Sequence, residues 1–206
     1  MRALLGLLVL LAHLAGAPAP ALGQERVIVA FGDSLTAGLG VPADQTYPAL
    51  LGERLRREGY DYKVVNAGVS GDTTAGGLRR VDWALRLKPE IVILELGVND
   101  ALRGQSLASV RANLDQLVAR FQAGGARVLV AGMRLPPNYG TRYADDFHRL
   151  FGEIARARNT PHVPFFLDGV GAVPRLNQAD GIHPTAEGYA LVVDHLWPYL
   201  VPLLRR

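Results

Sequence analysis

Short apolar runs alternate with longer amphipathic segments along this chain, and that alternation most constrains the fold. The short runs lack a polar residue at every second position, as expected for strands that have helices on both faces. Repeated strand–helix units predict a parallel sheet. We therefore predict an α/β fold, a three-layer α/β/α sandwich around a central, mostly parallel five-stranded sheet. The predicted strands are Arg26–Phe31, Tyr62–Asn66, Ile91–Leu96, Arg127–Gly132 and His162–Phe165.

Helical patterns fill the segments between these strands. Gly59 follows the first predicted helix and Gly124-Gly125 follows the third, as helix-ending glycines do. Pro198 should end the last helix at Trp197. The predicted helices are Tyr47–Glu58, Thr74–Leu87, Leu107–Ala123, Thr141–Arg156 and Thr185–Trp197.

The N-terminal segment belongs to a different class of sequence. Arg2 provides a positive start, Ala3–Ala12 is almost wholly apolar, and Ala19-Pro20-Ala21 forms an A-x-A cleavage site. These features predict a cleaved signal peptide over residues 1–23, with an uncleaved N-terminal anchor as the alternative. Residues 24–206 would then form a single periplasmic or secreted domain with no integral membrane span.

Composition excludes several classes of function. The chain has no cysteine, which excludes disulfides, thiolate nucleophiles and cysteine-ligated zinc. No histidine pair has metal-ligand spacing, so we expect neither metal nor cofactor. The net charge of +3 is carried by dispersed arginines that we interpret as solvated helix faces, including Arg79 and Arg80. Weak attraction to an anionic membrane stays open, whereas nucleic-acid binding lacks a motif.

Polar motifs follow four of the five predicted strands. Because carboxyl ends of parallel strands share one edge of the sheet, these segments should lie together. They are Ser34 after the first strand, Gly68–Thr73 after the second, Asn99-Asp100 after the third and Leu135–Tyr139 after the fourth.

Ser34 and His183 are the candidate nucleophile and base. A serine hydroxyl becomes nucleophilic when a histidine takes its proton and a third group orients that histidine. Asp180 lies three residues before His183, so a turn through Gly181 can bring its carboxylate to the imidazole. Pro184 favours an extended backbone at His183. Each motif alone is also explained by helix capping at Ser34 or Asp180.

Acyl transfer also needs donors for the oxyanion. Asn99 can donate a side-chain N–H, and Gly71 can donate a backbone N–H without a side chain that blocks the substrate. The backbone N–H of Ser34 would be a third donor. Taken singly, the segments around Gly71 and Asn99 are also common turn sequences.

Together these motifs resemble those of the SGNH hydrolase family, also called GDSL esterases, and more narrowly its bacterial periplasmic thioesterase, lysophospholipase and arylesterase group. The resemblance covers about residues 26–200 and implies a flavodoxin-like fold. The matching stretches are Gly32-Asp33-Ser34-Leu35, Val65–Thr74, Leu94–Asp100, Arg134–Gly140 and Asp180–Pro184.

The resemblance also implies roles for single residues. Ser34 would be the nucleophile, His183 the base and acid, and Asp180, rather than Asp33, its orienting carboxylate. Ser34, Gly71 and Asn99 would bind the oxyanion. The acyl groove would be lined by Gly97, Val98, Leu135 and Pro136.

By this resemblance the protein is a serine hydrolase that cleaves carboxylic esters and thioesters of fatty-acyl or aryl type without a cofactor. Two alternatives remain: a polysaccharide or glycan O-deacetylase, and a non-catalytic lipid- or glycan-binding module. The sequence leaves open the acyl-chain length, the leaving group and the oligomeric state, and it is compatible with a monomer.

Overall fold

All five strands of the computed structural model are parallel and form one sheet; the structure describes residues 25–206. The strand order is β2-β1-β3-β4-β5, the order of flavodoxin-like folds. In register, Gly32 at the end of β1 pairs with Gly68 on β2 and with Glu95 on β3. The predicted fold class is confirmed. The strands are β1 Val27–Gly32, β2 Lys63–Gly68, β3 Ile91–Glu95, β4 Arg127–Ala131 and β5 His162–Val163.

The helices form two packed groups. Helices α3, α5 and α6 pack side by side, whereas α2 packs against α7. Strands β1 and β3 lie at the centre of the sheet and are buried along their whole length, which explains their lack of polar alternation. The helices are α1 Ser34–Ala37, α2 Tyr47–Arg57, α3 Thr74–Arg86, α4 Val98–Leu102, α5 Leu107–Ala123, α6 Thr141–Ala157 and α7 Ala186–Leu200.

The prediction for the last helix was wrong at its end. Pro198 lies inside α7, which continues to Leu200. Proline lacks the N–H that closes a helical hydrogen bond, but Leu196 and Leu200 are both fully buried on the same face. The burial of these two side chains therefore outweighs the one lost hydrogen bond.

Two short helices were not predicted. The sequence predicts no helix directly after the first or the third strand, but α1 begins at Ser34 and α4 begins at Val98. Both are too short to show a helical period in the sequence. Both begin at the switch point of the sheet, where the chain connections from β1 and β3 diverge and where ligands bind in such folds.

Within residues 25–206, none of the helices combines the length and the apolar character that crossing a membrane requires. The predicted signal peptide, residues 1–23, lies outside the described residues.

Candidate active site

Ser34 is the first residue of α1, and Asp33 alone separates it from the end of β1. Asp33 caps this helix, because its Oδ1 accepts a hydrogen bond from the backbone N–H of Leu35 at 3.0 Å. Gly32 allows the close approach of the chain here: a Cβ at this position would lie 2.0 Å from Thr36 Oγ1. Asp33, not Ser34, is therefore the cap of this helix, and it holds Ser34 at the helix start.

His183 contacts Ser34 across 149 positions of sequence. Its Nε2 lies 2.8 Å from Ser34 Oγ, and its Nδ1 lies 2.7 Å from Asp180 Oδ2. The side chain of His183 is 14% exposed, whereas that of Asp180 is 45% exposed. The three predicted residues therefore form one continuous hydrogen-bonded chain, with geometry suited to proton transfer from the hydroxyl.

Backbone donors keep Asp180 ionised. Its Oδ1 accepts from the N–H groups of His183, at 3.0 Å, and Ile182, at 2.9 Å. The hydrogen bond from the His183 backbone, followed by those from Ile182 and the imidazole, lowers the pKa of Asp180 to about 2. A carboxylate that stays charged can hold the imidazole in one tautomer and stabilise the imidazolium.

Asn99 lies on the other side of Ser34, in the first turn of α4. Gly97 caps this helix with a φ of 116°, a conformation that favours glycine. The Asn99 side chain donates from Nδ2 to Asp33 Oδ2 at 2.9 Å. Asn99 also lines the cavity that Ser34 lines.

Gly71 lies in the turn after β2. Its φ of 78° favours glycine, and its carbonyl accepts a hydrogen bond from Arg103 at 3.0 Å. Gly71 is not among the residues that line the cavity beside Ser34. A Cβ added at Gly71 would meet only Arg103 Nη2, at 3.6 Å, so its substitution would strain the backbone rather than create a clash.

An apolar cavity of about 480 Å³ opens beside Ser34 and His183. Three of the four predicted groove residues, Val98, Leu135 and Pro136, line it. Gly97 does not: a Cβ added at this cap of α4 would contact Val110 and Leu114 of α5 and Phe151 of α6. The remaining lining is mostly apolar: Leu35, Leu102, Met133, Phe165, Leu167, Gly171, Ala172, Gly181 and Ile182, with Arg134 as the charged member.

Histidines outside the site have other surroundings. A ring nitrogen of His148 lies 3.3 Å from the carbonyl of Met133, and burial lowers the pKa of His162. In the part of the chain that the structure describes, no group of three or more His, Asp or Glu side chains could hold a metal ion.

Residues 30–191 match the model of the GDSL-like Lipase/Acylhydrolase family. The chain belongs to this family. It is an ester-hydrolysing enzyme, and the predicted family and enzyme class are confirmed.

Two named proteins are similar in sequence to most of this chain. Esterase TesA of Pseudomonas aeruginosa is 48% identical over 180 residues, which are 87% of this chain and 90% of that protein. Thioesterase 1/protease 1/lysophospholipase L1 of Escherichia coli K12 is 36% identical over 178 residues, which are 86% of this chain and 84% of that protein.

Two solved structures are also similar to most of this chain. A crystal structure of TesA is 48% identical, has a TM-score of 0.84, and the match covers 87% of this chain and all of that one. AlinE4, an SGNH-hydrolase family esterase, is 42% identical with a TM-score of 0.74, and the match covers 90% of this chain and all of that one.

Two residues to which the sequence assigns no role in the site connect the segments of this GDSL-family site. Gln178 donates from Nε2 to the carbonyls of Leu39, at 2.7 Å, and Pro184, at 3.0 Å. It thereby ties the segment around His183 to the segment after Ser34. A glutamine in a loop has no pattern by which the sequence could predict this contact.

Arg80 is the second residue, and its interpretation as part of a solvated helix face was wrong. It pairs with Asp72 at 2.7 Å and donates to the carbonyls of Ala67 and Gly32, both at 2.8 Å. Its guanidinium carbon lies 3.8 Å from the centroid of the Phe31 ring. Arg80 therefore joins the ends of β1 and β2 to the turn that contains Gly71, because one guanidinium offers five donors in a fixed plane.

Proposed function

We propose that the protein hydrolyses acyl esters and thioesters through an acyl-enzyme intermediate on Ser34. The observation that carries this proposal is the hydrogen-bonded chain from Ser34 Oγ through the imidazole of His183 to Asp180. In the first step Ser34 Oγ attacks the carbonyl carbon while His183 Nε2 takes the hydroxyl proton. The tetrahedral intermediate then expels the alcohol or thiol, which leaves with that proton.

In the second step water hydrolyses the acyl-enzyme. His183 Nε2 takes a proton from the water, the hydroxide oxygen bonds to the carbonyl carbon, and the acid leaves as the proton returns to Ser34 Oγ. Asp180 keeps the imidazole oriented in both steps. Its low pKa supports this role, because a carboxyl group with a pKa of about 2 is ionised at neutral pH.

Oxyanion stabilisation is assigned to the Asn99 side chain and to the backbone N–H groups of Ser34 and Gly71. Asn99 lines the cavity. Gly71 has no side chain of its own that would cover its backbone N–H. Loss of one such donor typically costs about 3–4 kcal/mol of transition-state stabilisation.

The substrates are proposed to be fatty-acyl or aryl esters and thioesters. The cavity beside Ser34 supports this class, because its lining is apolar and its volume of about 480 Å³ suits a medium-length acyl chain or an aromatic ring. The relatives named esterase and thioesterase 1/lysophospholipase L1 support the same range.

Export to the periplasm is part of the proposal. It depends on residues 1–23, whose positive start, apolar run and A-x-A site are typical of a signal peptide. Residues 24–206 would be the mature domain.

A substrate panel tests the proposed function. The purified enzyme is assayed with p-nitrophenyl esters, acyl-CoAs, lysophospholipids and acetylated sugars. The Ser34→Ala variant is assayed in parallel, and Ser109→Ala, which changes an exposed serine, is the control. We expect turnover of acyl esters or thioesters that falls by about 10⁵-fold or more in Ser34→Ala and is unchanged in Ser109→Ala. Activity confined to acetylated sugars would contradict the proposed substrate class, and binding without turnover would contradict the proposed reaction.

A further inference from the structure

Two carboxyl groups are buried directly behind the proposed oxyanion donor. Asp33 and Glu95 are both 0% exposed and lie at the adjoining ends of β1 and β3. The reaction described above uses neither of them. Burial of a carboxyl group costs free energy, so a pair at this position calls for an explanation.

Glu95 holds the chain around Asp33 in place. Its Oε2 accepts from the backbone N–H of Asp33 at 3.3 Å and from the hydroxyl of Thr36 at 2.8 Å. The Thr36 hydroxyl lies 3.2 Å from that of Tyr47, which is fully buried. Among residues 25–206, the buried Oε1 of Glu95 has no hydrogen-bond partner. Burial, and next the carboxylate of Asp33, raise the pKa of Glu95 well above its usual value.

The carboxylate of Asp33 accepts hydrogen bonds from two groups close to Ser34. Oδ1 accepts from the N–H of Leu35, and Oδ2 accepts from Nδ2 of Asn99 at 2.9 Å. An ionised carboxylate only accepts hydrogen bonds, whereas an amide has one accepting and one donating end. Asp33 therefore selects the orientation of Asn99 in which Nδ2 faces inwards. That orientation leaves the second hydrogen of Nδ2 available to a ligand.

We propose that Asp33 is a positioning residue for the oxyanion hole, which fixes the amide of Asn99 so that it donates to the oxyanion. Asp33 does not touch the substrate in this proposal and acts through Asn99. Glu95 and Thr36 hold Asp33 in register. The inference rests on the proposed function, since it assumes that Asn99 stabilises the oxyanion.

The charge state of Asp33 agrees with this role. Burial raises the pKa of Asp33 to about 6, against the lowering effect of hydrogen bonds from Leu35, Glu95 and Asn99. The side chain is therefore mainly ionised at pH 8, where it can only accept. The groups that face it are Glu95 from β3, Asn99 from α4, His183, and Tyr47 and Tyr189 from α2 and α7.

Asp33→Asn is the informative variant. An asparagine keeps an oxygen for the cap on Leu35 but places its NH₂ group opposite Asn99. The amide of Asn99 must then turn over to accept that hydrogen bond, and its oxygen faces the reaction centre. At pH 8 we expect kcat for p-nitrophenyl butyrate to fall about 10²–10³-fold, as for loss of one oxyanion donor, with KM changed less than about threefold.

A double-mutant cycle separates positioning from a structural effect. Asn99→Ala alone should lose about 10²–10³-fold in kcat, and Asp33→Asn combined with Asn99→Ala should lose no more than Asn99→Ala alone. A purely structural role of Asp33 would instead multiply the two losses. Multiplied losses, or an Asp33→Asn enzyme within about threefold of the wild type, would overturn the proposal.

The controls keep this result distinct from failure of the proposed function. Asp44→Asn changes an exposed aspartate and should leave kcat unchanged. If Asp33→Asn does not fold, Asp33→Ser keeps the helix cap, removes the acceptor for Asn99 and enters the same cycle with the same expectation. Full activity of Ser34→Ala would refute the proposed nucleophile, and full activity of Asn99→Ala would refute the oxyanion role and with it the proposal.

Discussion

Two aspartates flank Ser34, and their surroundings differ in almost every respect. Asp180 lies in a loop near the C-terminus with its side chain 45% exposed, whereas Asp33 is fully buried at the end of a central strand. Hydrogen bonds from the backbone lower the pKa of Asp180 to about 2, and burial raises that of Asp33 to about 6.

The difference shows how one residue type serves two tasks. Asp180 contacts a group that becomes charged during the reaction, so a carboxylate that stays ionised and partly solvated is favourable there. Asp33 contacts an amide whose orientation must not change, and burial between two strands provides that rigidity at a cost in stability. We call the loop with Asp180 and His183 the base side of the site. We call the end of β1 with Asp33, together with its partner Asn99, the oxyanion side.

The largest effect is expected on the base side. Asp180→Asn keeps an oxygen for the N–H groups of Ile182 and His183, but it loses the charge that stabilises the imidazolium. We expect kcat for p-nitrophenyl butyrate to fall about 10³–10⁴-fold at pH 8. The melting temperature should fall only modestly, because the partly exposed position of the side chain weakens the interactions that lower its pKa. A loss below about tenfold would show that this carboxylate is not the partner on which His183 depends.

The burial of Asp33 on the oxyanion side should make the free energy of unfolding depend on pH. An acid whose pKa is raised from 3.8 to about 6 on folding lowers the free energy of unfolding as pH rises between these values. Asp33→Asn removes this penalty, so its stability relative to the wild type should increase by about 3 kcal/mol between pH 3.5 and pH 7. Urea unfolding at both pH values measures it. A difference that does not change with pH would contradict the burial of a titrating carboxyl group at Asp33.

A smaller effect is expected in the apolar cavity, which belongs to neither side. Leu135 is 9% exposed and lines the cavity, so Leu135→Ala removes contact area for a long acyl chain. We expect kcat/KM for p-nitrophenyl octanoate to fall about tenfold relative to the acetate ester, since each methylene buried contributes about 0.8 kcal/mol. Equal losses on both esters would show that Leu135 does not bind the chain.

The sequence predicted the base side better than the oxyanion side. Asp180 lies three residues from His183, and such local spacing is visible in a chain. The contact between Asp33 and Asn99 joins residues 66 positions apart, and the sequence shows Asp33 only as a neighbour of Ser34. Strand ends were predictable because parallel strands share an edge, but side-chain contacts between them depend on register.

Other differences between prediction and structure have the same physical origin. The interpretation of Arg80 as solvated followed from its helical position, but the carbonyls of Gly32 and Ala67 at the strand ends provide acceptors that no local pattern indicates. Pro198 was expected to end α7, but tertiary packing of Leu200 outweighed local preference.

The central claim is that Ser34 is the nucleophile, and covalent labelling tests it most directly. The enzyme is treated with a fluorophosphonate, digested and mapped by mass spectrometry, with Ser34→Ala and His183→Ala as comparisons. We predict one adduct per chain, on the peptide that contains Ser34, absent from Ser34→Ala and formed far more slowly in His183→Ala. An adduct on another residue, or full hydrolytic activity in an enzyme whose Ser34 is not labelled, would contradict the account.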